Sequence, residues 1–264
     1  MFKKFKIIFL FIILIILGFV FYTNRVLIKE YFSEPKNIGL PEEVKFEDII
    51  VEEQDVVEIV DEEFSELIKE NSESKINEIN LDVPFTIQSP DQKWDEFYKE
   101  GCEEASILMV YAFVHNQNIT VESALKDIGE MIDWQLENYN GHFDLPATTT
   151  AEIAEITYGL DTKLIELNSI DDIKGIIETG YPLILPCAGR ELKNPNFKQP
   201  GPLYHMLVVK GFLANGSIIT NDPGTRKGEN YIYEADVLWN AIADWNEEIK
   251  NPDQNEKIGI LLLE

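Results

Sequence analysis

The sequence predicts an α+β domain, with helices first and a mostly antiparallel sheet later, set behind a membrane anchor and an acidic stalk. Three observations lead there. Helical periodicity governs residues 103–178, whereas short strand-like apolar runs take over after Pro182; that order fits α+β architecture rather than alternating βαβ units. Residues 7–22 form an apolar run preceded by Lys3, Lys4 and Lys6. Between Glu42 and Glu66 there are twelve acidic residues against one basic, Lys45.

These divide the chain into an anchor or signal segment (1–32), a stalk (33–78) and a folded domain (79–264). The anchor run is near the lower length limit for a span. No small-x-small cleavage site follows it, since Phe19, Val20, Phe21 and Tyr22 are bulky, so an uncleaved anchor is expected. The basic excess before the run keeps the N-terminus cytoplasmic and turns the rest outward. The stalk has self-repelling charge and no sustained apolar period, the pattern of a solvated linker.

Composition narrows the function classes. Hydrophobic residues make up 45% of the 264, enough for a core, while the formal net charge of −26 argues against a nucleic-acid partner. Two cysteines, Cys102 and Cys187, are no disulfide framework, although one bridge between them is open. With only three histidines, a structural zinc site is not expected, nor any other cofactor.

Within the domain, residues 81–85 read as a short strand and 86–100 as a loop. Residues 103–116 have apolar positions at Ala105, Leu108, Met109, Ala112 and Phe113, the spacing of one helix face. Thr120 caps a second helix, and Asn140-Gly141 marks a turn among Trp134, Tyr139 and Phe143. Thr149 or Thr150 caps a third helix stopped by Gly159, and Ser169 a fourth stopped by Gly180. Strands follow over 161–167, 182–186, 203–212 and 217–221, the last two joined through Asn215-Gly216, a strong hairpin signal. A strand at 231–233, a helix over 234–245 and a strand at 258–263 complete the chain.

Cys102 opens the first helix of the domain, where the helix dipole favours a thiolate. His205 stands near the start of one hairpin strand and Asp222 just past the end of the other, so pairing brings them together. An aspartate can then fix one imidazole nitrogen and leave the other for a thiol. Asn221 is an alternative partner, and strand alternation decides between the two. Gln88 precedes the cysteine in a polar loop; its side-chain amide and the Cys102 N–H can form an oxyanion hole. Glu103 and Glu104 favour the protonated thiol, but carboxylates pointing outward would be screened by water. Cys187 reads as a plain buried thiol, and His115 and His142 as surface or structural residues. Trp94, Trp134, Tyr139 and Phe143 can line an apolar groove, with core packing the simpler role.

Val83-Pro84-Phe85-Thr86-x-Gln88-x-Pro90, then Trp94, then Gly101-Cys102-Glu103-Glu104-Ala105-Ser106, resembles the start of the peptidase C39-like proteins, a branch of the papain-like cysteine peptidases. Gly201-Pro202-x-Tyr204-His205-Met206 and Asn221-Asp222-Pro223-Gly224 look like that family's later blocks. The resemblance runs over residues 81–264. It implies a papain-like fold, Cys102 as nucleophile, His205 as base, Asp222 as its orienter and Gln88 as oxyanion donor. It implies amide hydrolysis of a peptide or peptidoglycan-type substrate; transporter-linked leader cleavage does not carry over to an outward-facing chain without transporter domains. Peptidoglycan amidase or transpeptidase chemistry on the same site is one alternative, and a catalytically silent binding or adaptor module is another.

Overall fold

A computed structural model describes residues 39–50, 77–94, 97–139, 141 and 143–263. The chain divides into two units, Met1–Leu40 and Pro41–Glu264, and every element below belongs to the second. The anchor expected over residues 7–22 lies outside the described residues, as do His142 and residues 51–76 of the expected stalk. Among the described residues no helix is long and apolar enough to cross a membrane.

Helix α2 is the axis of the domain, but it has to be placed among its neighbours. Strand β1 (Glu43–Val44) and helix α1 (Phe46–Ile50) come first, then β2 (Ile79–Leu81), α2 (Cys102–Val114), α3 (Val121–Asn138) and α4 (Ala147–Tyr158). Strand β3 (Asp161–Glu166), α5 (Ile170–Glu178), β4 (Leu183–Ala188), β5 (Tyr204–Phe212), β6 (Ile218–Asn221) and β7 (Tyr231–Tyr233) follow. Helix α6 (Ala235–Ala241), the pair β8 (Asp244–Asn246) and β9 (Asn251–Asp253), and β10 (Ile258–Leu263) end the chain. All residues of α2 except Tyr111 are buried. A helix apolar on nearly every side must be enclosed on every side. Fully burying an Ile107 or a Met109 contributes about 1.5–3 kcal/mol each.

The main sheet runs β1-β2-β5-β4-β10-β3, with β6 on β5 and β7 on β6. All pairs are antiparallel except β1 with β2. Strand β5 is buried at all nine positions and pairs with β4, β2 and β6. The β5–β6 hairpin pairs Val208 with Asn221 and Phe212 with Ile218, with a register shift between Val209 and Gly211. Continuing that register toward the open end of the hairpin leads to His205 and to the residues after Asn221.

Three sequence expectations change. The stretch read as stalk is in part built into the domain. Phe46 packs edge-on against Phe113 and Tyr181, each at 5.5 Å. Glu43 accepts a hydrogen bond from the buried Lys210 at 2.9 Å. An apolar anchor and one ion pair outweigh the local acidity that made the stretch look solvated. The helix expected over 234–245 stops at Ala241, because the Ala243 N–H donates to Pro186 O and the chain turns into β8. Capping boxes at Thr120–Ser123 and Ser169–Asp172 start α3 and α5. Helix α4 starts earlier than a threonine cap would place it, at Ala147, whose N–H is taken by Asp244 at 2.8 Å.

Candidate active site

The hairpin fixes one half of the site. His205 Nε2 and Asp222 Oδ1 are 2.8 Å apart, and both residues are buried. Nε2 is therefore the nitrogen held by the carboxylate, and Nδ1 is left for another partner. Asp222 accepts three further bonds: from the Gly224 N–H at 3.0 Å, the Tyr233 hydroxyl at 2.6 Å and Asn194 Nδ2 at 3.0 Å. Burial by itself pushes this carboxyl up. The His205 charge and hydrogen bond, with Tyr233 and Gly224, outweigh it and hold the carboxyl below the ordinary range. Asn221 faces elsewhere: its side-chain amide donates to Val83 O at 2.9 Å and its Oδ1 accepts from the Asn230 N–H. The imidazole is wedged in place. Phe197 meets it edge-on at 5.2 Å, and a Cβ on Gly224 would come within 2.8 Å of its Cε1. That close approach is what requires glycine at position 224.

Sequence reasoning missed Asn194 and Tyr233. Neither lies in a recognisable block; both reach Asp222 from separate parts of the chain. Tyr233 ends the strand Tyr231-Ile232-Tyr233, where nothing local sets it apart from Tyr231.

Cys102 supplies the other half. It is the first residue of α2 and is 4% exposed. The backbone N–H of Met206, next to His205 on β5, favours the Cys102 thiolate. The thiol itself donates to Glu103 Oε2 at 3.1 Å. Glu103 Oε1 accepts from the Leu145 N–H at 3.1 Å, and Gln135 Nε2 donates to Glu104. The two carboxylates are not outward-pointing and screened: they are 1% and 0% exposed. Burial, then the charge and hydrogen bond of Glu103, push the Cys102 thiol well above its usual value. Burial, then the charges of Glu104 and Asp144, push Glu103 well up in turn.

Gln88 is buried behind this helix start. Its Nε2 donates to Tyr98 O at 3.2 Å and to Lys99 O at 2.7 Å, and its backbone N–H donates to Pro223 O at 3.0 Å. It thus braces the turn Tyr98–Glu100 that leads into Cys102 and ties it to the loop after Asp222. Both amide hydrogens go to backbone carbonyls here. Cys187 pairs in register with His205 across β4 and β5 and, like Cys102, is free and buried. Of the aromatic residues read as a groove, Trp94 and Phe143 are exposed, while Trp134 packs edge-on against Tyr139. Among the described residues no cluster of His, Cys, Asp or Glu is arranged to hold a metal ion.

The arrangement joins a buried acid–imidazole pair to a helix-start thiol through adjacent backbone, in the chain order Gln, Cys, His, Asp. The sequence model of the Peptidase_C39 like family matches residues 80–251, more than half of the chain and all four of these positions. The chain belongs to the peptidase C39-like family. No curated protein matches it. A crystal structure described as a C39-like peptidase from Bacillus anthracis is similar at 15% identity and a TM-score of 0.44, over 71% of this chain and 98% of that one. The matched region runs from within β2 to the first residue of β9.

Proposed function

We propose that this chain is an extracytoplasmic cysteine peptidase, tethered through residues 7–22, that hydrolyses amide bonds with Cys102 as nucleophile, His205 as base and Asp222 as orienter. The observation that carries the reading is the buried His205–Asp222 pair at 2.8 Å; the next backbone N–H along β5, that of Met206, favours the Cys102 thiolate. His205 Nδ1 takes the thiol proton, and Sγ attacks the substrate carbonyl. The Cys102 N–H at the helix start stabilises the oxyanion, and Gln88 adds a second donor once one N–H turns from the Lys99 carbonyl. Protonated His205 passes its proton to the leaving amine, and water then clears the thioester.

A thiol-directed activity probe tests this. Labelling should require both Cys102 and His205, and Cys102→Ser should abolish hydrolysis. Turnover in Cys102→Ser equal to the parent would sink the mechanism. Digests of peptides and of murein fragments separate peptidase from peptidoglycan chemistry. A second reading, a catalytically silent module, is favoured by one observation: the thiol is buried and bonded to a carboxylate rather than to His205. Absence of probe labelling in a folded parent protein would select it.

A further inference from the structure

We propose that Glu103 is a positioning residue for Cys102: in the closed site it takes the one hydrogen bond that the thiol can donate, and through Leu145 it ties that hold to the segment 143–146. The inference deepens the peptidase reading of this site and gives a task to a buried carboxylate which that mechanism does not use.

A thiol has one proton to donate. Here it goes to Glu103 Oε2 at 3.1 Å, so it does not go to His205. The carboxylate cannot swing freely, because its other oxygen holds the Leu145 N–H at 3.1 Å. Leu145 is held from the opposite side as well, its carbonyl accepting from the Tyr204 hydroxyl at 2.8 Å. Tyr204 belongs to β5, one residue before His205, and its hydroxyl also reaches Asp244 Oδ1 at 3.3 Å. The peptide units on either side of Leu145 therefore bridge the helix that carries the nucleophile and the strand that carries the base. Leu145 is buried, and the preceding Phe143 is 56% exposed. Displacement of this segment by an incoming chain breaks the Leu145–Glu103 bond, lets the carboxylate turn, and frees the thiol for His205.

The groups facing the pair agree with this direction. Glu104 on the same helix and Asp144 on the segment add negative charge near Glu103. From β5, the Tyr204 hydroxyl and the Met206 N–H approach, and only the Met206 N–H favours the thiolate. His205 is engaged by Asp222 through Nε2. In the closed state the neutral thiol is the favoured form.

The test uses the full chain in detergent with Cys187→Ala, which leaves one thiol, and follows iodoacetamide alkylation against pH. Adding Glu103→Gln should lower the midpoint by about one unit and speed alkylation at neutral pH about tenfold. An unchanged midpoint would make Glu103 merely structural. A raised midpoint with slower alkylation would make it the proton acceptor; either result overturns the inference. Should Glu103→Gln fail to fold, thiolate absorbance near 240 nm in the Cys187→Ala protein decides. The thiolate should appear only above about pH 8.5, the value of a free thiol; a step below neutral pH overturns the inference. Alkylation and absorbance read the state of Cys102 without a substrate. A parent that cleaves nothing yet shows the shifted midpoint removes the peptidase reading and supports this one; an active parent with no shift does the reverse.

Discussion

Asp222 and Cys102 are two acids buried in one site, 0% and 4% exposed, and they are moved in opposite directions. Burial disfavours the anion at both. Around Asp222 stand four donors from four places: His205, Gly224, Asn194 and Tyr233. Around Cys102 stand one backbone donor, Met206, and a carboxylate, with two more acids behind it. The sign of each shift thus follows from the donors and charges that meet the group, not from its depth. One half of the site is a fully bonded acid–imidazole pair; the other is a thiol held toward its neutral form.

The largest effect should come from removing the acid on the finished half. Asp222→Ala leaves His205 without its partner at Nε2, and kcat/KM should fall on the order of 10²–10⁴-fold, as for loss of assisted proton transfer. Peptide hydrolysis, with folding checked by circular dichroism, measures it. A loss below tenfold would mean that the four donors serve the fold rather than His205.

Next comes Tyr233→Phe. It deletes one hydrogen bond to a charged group while Asn194 still meets the same oxygen at 3.0 Å. A bond of that kind contributes about 1.5–3 kcal/mol, so activity should drop roughly tenfold. Asn194→Ala, measured alongside, should cost no more. Full activity in both variants would remove the contrast in donors as an explanation.

The smallest effect is in stability against pH. Asp222 has a depressed pKa in the fold. Its contribution is therefore present above the unfolded carboxylate value of about 3.9 and is lost as pH falls further. Glu103 has a raised pKa. The folded state binds its proton more tightly, so its contribution is full below the unfolded value of about 4.3 and shrinks as pH rises toward the folded pKa. Glu103→Gln should gain in urea midpoint relative to the parent on going from pH 5 to pH 8, with an unchanged slope. Equal midpoint differences at the two pH values would show that the carboxylate carries no buried charge.

Much of the fold was legible because periodicity and turn chemistry are local. The capping residues Thr120 and Ser169, the stops at Gly159 and Gly180, and the Asn215-Gly216 hairpin each act within a few residues. What could not be read locally depends on remote partners. Asp244 starts α4 from almost one hundred residues away, and Pro186 helps end α6. Lys210 and Phe113 draw an acidic stretch into the domain.

The site divides in the same way. The order of Gln88, Cys102, His205 and Asp222, their residue types and the hairpin that pairs two of them are properties of the sequence, because a hairpin follows from the turn residues that join its strands. The direction in which Glu103 and Glu104 point is not such a property. A carboxylate at a helix start is stable whether it faces water or the interior; the packing of α3, the 143–146 segment and β5 against α2 decided that both would be buried. Desolvation acts only on enclosed groups, so the upward push on the Cys102 thiol comes from tertiary structure and not from the local sequence.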